Sequence, residues 1–179
     1  MGEKMGFSAT RSKRRATLPI IAAALLVGLL TASLSASGAI ARQAEEDRVL
    51  AAVQAFFDGL AAGPEALQAT LLDEGSVTRL RERGGVLEWN IQTFAELGVA
   101  GGDNDTRLLE RMWDATVLVH GPLAQVWTPY DFYVNGEFSH CGVDSFTLIK
   151  TTDGWTVAGV AYTVEPTGCT PSPLGPPRR

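Results

Sequence analysis

The stretch AQVWTPYDFYVNGEFSHCGVDSFTLIKTTDGWTVAGVAYTVE, residues 124–165, decides the fold. It holds three apolar-rich runs, 124–134, 139–150 and 155–165, separated by two short polar turns. Asn135-Gly136 and Asp153-Gly154 suit the left-handed φ angles of a two-residue hairpin, because glycine has no Cβ to clash and Asn or Asp tolerates that region. The pattern predicts a three-stranded antiparallel meander. Such a sheet has an apolar face to cover, and the helical patterns upstream are the only segments that can cover it.

Working outward toward the N-terminus, residues 107–119 read as a fourth strand, with Trp113, Ala115, Val117 and Val119 on one face and Met112, Asp114, Thr116 and Leu118 on the other. His120-Gly121-Pro122 turns it into the meander, setting Val117 opposite Ala124. Residues 45–60 place Val49, Leu50, Val53, Phe56, Phe57 and Leu60 on one helical face, with Glu45, Glu46 and Asp47 in the first turn complementing the helix dipole. Gly63-Pro64 restarts the chain as a short helix carrying Ala66, Leu67 and Leu71, and Asp73-Glu74-Gly75 turns out of it. Residues 76–89 read as a hairpin about Gly84-Gly85. Arg79, Arg81 and Arg83 alternate along one side of it, as a solvated edge or as a grip on an acidic ligand. Asn90 caps a third helix bearing Ile91, Phe94, Ala95 and Leu97. The loop Gly101-Gly102-Asp103-Asn104-Asp105 lacks the closing bidentate Glu of a calcium loop and reads as a solvated turn.

The first forty-one residues read as an address. Lys4, Arg11, Lys13, Arg14 and Arg15 precede an apolar run from Leu18 to Leu30, and small residues end in Ala39-Ile40-Ala41, the order of a secretory signal cleaved after Ala41. An uncleaved membrane anchor is the alternative, although the apolar run is short against the ~20 residues that span a bilayer. Export places the protein in the periplasm or outside the cell. Removing 1–41 leaves ten basic residues against nineteen acidic, a net charge of −9. No basic cluster remains to replace counterions on a polyphosphate, so nucleic acid and anionic membrane surfaces are not expected partners. In an oxidising compartment Cys141 and Cys169 are expected to form a disulfide; neither has the close Cys or His spacing of a metal site, and no metal or cofactor is expected. The domain is expected to occupy 42–169. Residues 170–179, with Pro171, Pro173, Pro176 and Pro177, form a tail with nothing to bury.

The helical start, the run Leu123 to Tyr133, the string His140-Cys141-Gly142-Val143-Asp144 and the closing Gly154-Trp155 with Tyr162-Thr163 resemble the nuclear transport factor 2-like superfamily. Within it, the chain is most similar to the SnoaL-like, lumazine-binding branch of exported bacterial proteins. The resemblance implies an α+β cone of curved antiparallel sheet on N-terminal helices, with a helix-lined pocket and often a homodimer. It does not choose among isomerases, cyclases, dehydratases and binding domains.

Register arithmetic supplies the catalytic expectation. A two-residue turn at Asn135-Gly136 pairs Val134 with Glu137 and, stepping outward, sets Asp131 opposite His140 and Tyr133 opposite Phe138. A carboxylate beside an imidazole orients it as a general base, with Tyr133 or Tyr130 as hydrogen-bond donor. Pro129 suggests a bulge that would turn Trp127 away from Asp131. Trp127, Tyr130, Asp144 and Tyr162 are the expected ligand contacts. Two functions follow: a non-catalytic domain binding a small apolar or aromatic molecule, which is favoured, or a cofactor-free isomerase or dehydratase using the His140–Asp131 pair.

Overall fold

The computed structural model describes residues 20–100 and 106–177, with side chains for 38–97 and 106–177. The basic stretch and apolar run of the expected signal, and the acidic loop 101–105, lie outside those side chains. The chain divides into two compact units, 1–41 and 42–179. Among residues with described side chains, no helix is long and apolar enough to cross a membrane.

Helix α1 (Ile20–Ala62) begins well upstream of the expected start, so Glu45, Glu46 and Asp47 lie in its interior instead of its first turn. Glu45 has a different role. Its carboxylate accepts hydrogen bonds from Trp155 Nε1 at 2.9 Å and from Lys150 Nζ, and pairs with Arg48 at 2.8 Å. Lys150, then Arg48, holds that carboxyl down to about 2. The helix is thereby fixed to the tip of a hairpin.

A short helix α2 (Pro64–Gln68) leads into β1 (Leu71–Arg83) and β2 (Val86–Thr93), then α3 (Phe94–Ala100), β3 (Leu108–Met112), β4 (Thr116–His120), β5 (Leu123–Val134), β6 (Glu137–Thr151) and β7 (Gly154–Val164). The sheet runs β2-β1-β7-β6-β5-β3, with β4 also on β5. The cap of α3 is Thr93, whose backbone N–H and hydroxyl both bond Glu96, so Asn90 stays in β2 and Ile91 is 63% exposed. Asp73-Glu74-Gly75 is strand where a turn was expected. Strand β1 runs parallel to β7 and lies between β7 and β2, so Arg79 and Arg81 are flanked on both sides, while Arg83 lies past the end of β7 and pairs only with β2. One pair is therefore parallel in a sheet expected to be wholly antiparallel; the α+β cone holds.

The meander forms as read at Asn135-Gly136, where both residues take positive φ and Val134 pairs with Glu137. The second reversal falls one residue early, at Thr152-Asp153, with Thr151 opposite Gly154. Residues 107–119 make two strands instead of one. Asp114 takes φ 47 and inserts one extra residue, since Met112 pairs with Tyr130 while Thr116 pairs with Trp127. The insertion turns Met112 and Val117 to the same face. Val119, not Val117, stands opposite Ala124, two residues along on the same side of the strand.

Val49, Val53, Phe56 and Phe57 of α1 press onto Val126, Phe146, Leu148 and Val157 of the sheet, all buried. Phe146 meets Phe56 and Phe57 edge-on, at 5.3 and 5.7 Å between centroids. Each fully buried side chain of this kind stabilises by about 1.5–3 kcal/mol, so the helix–sheet seam holds the cone together.

Cys141 and Cys169 are joined as a disulfide with Cα atoms 6.0 Å apart. Closing that loop is worth roughly 3–4 kcal/mol on a chain-entropy estimate. The tail beyond it is held as well: Arg111 Nη2 donates to the Gly175 carbonyl at 2.9 Å.

Candidate functional site

The inner face of the cone can be followed in rows across the strands. Val77, Val160, Phe146 and Val126 form one row, and the next is Arg79, Tyr162, Asp144 and Thr128. Beyond them His140 on β6 and Glu110 on β3 both pair with Phe132 on β5, flanking it at the open end. Between Asp144 and His140 the inward position is Gly142, where a Cβ would lie 2.2 Å from the Thr163 carbonyl oxygen. Only glycine lets β7 approach there. The same carbonyl accepts the Tyr130 hydroxyl at 2.6 Å.

The expected His140–Asp131 pair does not form. Tyr133 pairs with Phe138 as read, but Phe132, not Asp131, stands opposite His140, because Ser139 is an extra residue in β6. Past that bulge every β6 side chain is on the opposite face from the one simple alternation assigns. His140 turns inward beside Tyr130 and Phe132, with ring centroids 5.7 and 4.9 Å away. Its Nδ1 lies 2.9 Å from Ser139 Oγ. Burial, and then the positive charges of Arg81 and Arg79, lower its pKa and favour the neutral imidazole.

Asp131 and Tyr133 are on the outer face. Arg111 Nε donates to Asp131 Oδ1 at 2.9 Å, its Nη2 bonds Oδ2, and its guanidinium stacks 5.1 Å over the Tyr133 ring. The tail and the disulfide lie over this ion pair, leaving Asp131 3% exposed. Asp131 is therefore a structural anchor. Trp127 is 58% exposed on that same outer face, away from the cavity. Pro129 sits in an unbroken register, so no bulge separates Trp127 from Asp131.

Of the expected site residues, His140, Tyr130, Asp144 and Tyr162 are brought together. They line a cavity of about 190 Å³ with Phe56, Leu60, Leu97, Phe132 and Glu110. Tyr130 is buried with its hydroxyl committed to Thr163, while the Tyr162 hydroxyl has no partner among the described residues. Burial raises the pKa of both phenols, so they stay protonated.

Glu110 is the residue that strand alternation missed. It lines the same cavity as Asp144, which is 2% exposed. Among the described residues the buried Asp144 Oδ2 has no hydrogen-bond partner. Burial, followed by the charge of Asp144, raises the pKa of Glu110 well above the carboxylate range. Burial pushes Asp144 up to about 8, and its neighbour Glu110 offsets part of that rise. Two carboxyls set into one largely enclosed cavity oppose each other's ionisation, which favours the protonated forms. Leu108, Glu110 and Met112 alternate, and an acid between two apolar residues on one face was the available signal.

No protein-family model matches the chain, and no curated protein does. Solved structures do match. A Streptomyces avermitilis protein of the nuclear transport factor 2-like (NTF2-like) family, assigned as a dehydratase, is 17% identical over 69% of this chain and 97% of its own, with a TM-score of 0.55. An NTF2-like protein with a cystatin-like fold from Novosphingobium aromaticivorans is 18% identical over 73% of this chain and 87% of its own, at 0.52. The β subunit assigned to an aromatic-ring-hydroxylating dioxygenase of the same organism is 12% identical over 77% of this chain and 99% of its own, at 0.58. Likeness at this identity carries the fold alone: an NTF2-like, cystatin-like α+β cone.

Proposed function

We propose that the chain is an exported binding domain of the SnoaL-like kind that holds one small, mainly aromatic molecule in the cavity between α1 and the sheet. The observation that carries this is a cavity walled mainly by Phe56, Leu60, Phe132, Tyr130 and Tyr162 into which two carboxyls, Glu110 and Asp144, are set, with burial raising the pKa of both. A protonated carboxyl donates a hydrogen bond to a ligand oxygen where a carboxylate would repel it. The volume sets the size: an apolar cavity of about 150 Å³ takes a benzene ring, so about 190 Å³ takes one ring with a small substituent. The leader-like N-terminus and the Cys141–Cys169 disulfide support an oxidising compartment.

The test is titration of the purified domain with phenol and cyclohexanone, followed by backbone NMR. Saturable shifts centred on Tyr162, Phe132 and Leu60, weakened about tenfold or more in Glu110→Leu, which removes the donor, are expected. Shifts absent from those residues refute the reading.

A second reading is favoured by the placement of His140 and Glu110 on either side of Phe132, a base facing an acid across roughly 10 Å of sheet. In this arrangement His140 Nε2 takes a proton from the carbon next to a ketone while the acid pair donates to the ketone oxygen, giving an enol that is reprotonated elsewhere as an isomerase would. Deuterium wash-in at the α carbons of cyclohexanone, lost in His140→Gln, is the expected result. Exchange at the buffer rate removes the enzyme and leaves the binding domain.

A further inference from the structure

The geometry points to a ligand that is itself an acid, a single-ring carboxylate whose anionic end is gripped at the cavity rim by Arg79. This deepens the binding reading above and rests on it.

Arg79 follows the cavity-lining Val77 by two residues on β1, on the same face. In the parallel ladder it pairs with Tyr162, and Tyr162 pairs with Asp144. Neighbouring strands are about 4.8 Å apart, so Arg79 lies one strand beyond Tyr162, and its charge acts on the Tyr162 phenol that walls the cavity. Its neighbour on the other side is Asn90, which is uncharged. Among the described residues Arg79 makes no ion pair, whereas Arg111, Lys150 and Arg48 are each committed to a carboxylate. Arg81, two residues further out on the same face, also makes no ion pair among the described residues, but it stands beside Val164 where Arg79 stands beside the cavity-wall Tyr162. In a chain with a net charge of −5, two unpaired arginines, Arg79 and Arg81, put positive charge on the β1 side of the cavity, where both act on His140.

The polarity of the cavity fixes the orientation. The Arg79 end suits an anion better than the Glu110–Asp144 end, where protonated carboxyls offer a neutral hydrogen bond but no positive charge. A ligand carboxylate therefore points to the Arg79 end, where the planar fork matches its two oxygens, and the Tyr162 hydroxyl is free to donate to it as well. The ring then occupies the apolar wall made by Phe56, Leu60 and Phe132.

The probes are benzoate, benzamide and phenol, titrated by calorimetry into the wild-type protein, Arg79→Gln and Arg79→Lys. Benzoate is expected to bind about tenfold or more tightly than its neutral isostere benzamide, and to lose that advantage in Arg79→Gln while phenol affinity stays constant. Arg79→Lys should keep part of the advantage, and added salt should reduce it. Equal binding of benzoate and benzamide to the wild type overturns the carboxylate assignment while phenol binding still upholds the cavity. So does an Arg79→Gln variant that retains the preference. If phenol fails to bind too, both readings fall.

Discussion

Raising the pH should loosen this protein through one pair of side chains. Asp144 ionises near 3.8 when the chain is unfolded and at about 8 in the folded protein, and Glu110 is raised alongside it. A folded pKa above the unfolded one means that the stability present below about pH 4 is lost as pH rises toward about 8. Each pH unit in that window costs about 1.4 kcal/mol, so moving from about pH 5 to about pH 8 costs on the order of 4 kcal/mol. That is a large share of the 5–15 kcal/mol typical of a domain. The double variant Glu110→Gln, Asp144→Asn keeps the size and hydrogen-bonding capacity of both groups and removes both protons. Two other groups need separating. His140 has a lowered pKa, so its contribution is lost as pH falls through about 6.5, the opposite sign. It is common to both proteins and cancels in their difference. Glu45 loses its contribution as pH falls from 4.5 toward about 2, below the window. Urea denaturation at about pH 5 and about pH 8 should show the wild-type midpoint falling by about 2 M relative to that of the double variant. A wild-type midpoint that does not fall relative to the variant's refutes the protonated-pair account.

Two further outcomes test the assignment of faces and the helix–sheet seam. Asp131→Asn leaves Arg111 half of a buried pair and should cost about 3 kcal/mol in urea denaturation, yet leave the NMR titration of His140 unchanged, because the two lie on opposite faces. Phe146→Ala removes the ring that both α1 phenylalanines meet edge-on and should cost about 3–5 kcal/mol, read as a lowered urea midpoint with an unchanged slope.

Much of the fold was legible because it rests on local signals. Asn135-Gly136 announces its own turn, and the amphipathic spacing from Val49 to Leu60 needs no tertiary information. The chemistry of the interior was not legible, because it depends on single inserted residues that leave no compositional mark. Ser139 looks like any other strand residue, yet it carries His140 inward and separates it from Asp131. Asp114 does the same on the other side of β5, so that Met112 and Val117 share a face despite their odd spacing. Once both insertions are known, Glu110 and Asp144 follow from simple alternation. The arginines of β1 were singled out, but the parallel pairing with β7, which sets Arg79 beside Tyr162, is a long-range contact that no short window contains.

The extra residue at Ser139 also bears on how such a domain changes over generations. A substitution alters one side chain, but loss or gain of a single codon there exchanges two whole sets of side chains between interior and solvent. Lineages sharing this architecture can therefore acquire a new binding chemistry in one genetic event without altering any neighbouring amino acid. Alignments that treat a one-position gap in β6 as noise will match a pocket residue in one descendant to a surface residue in another.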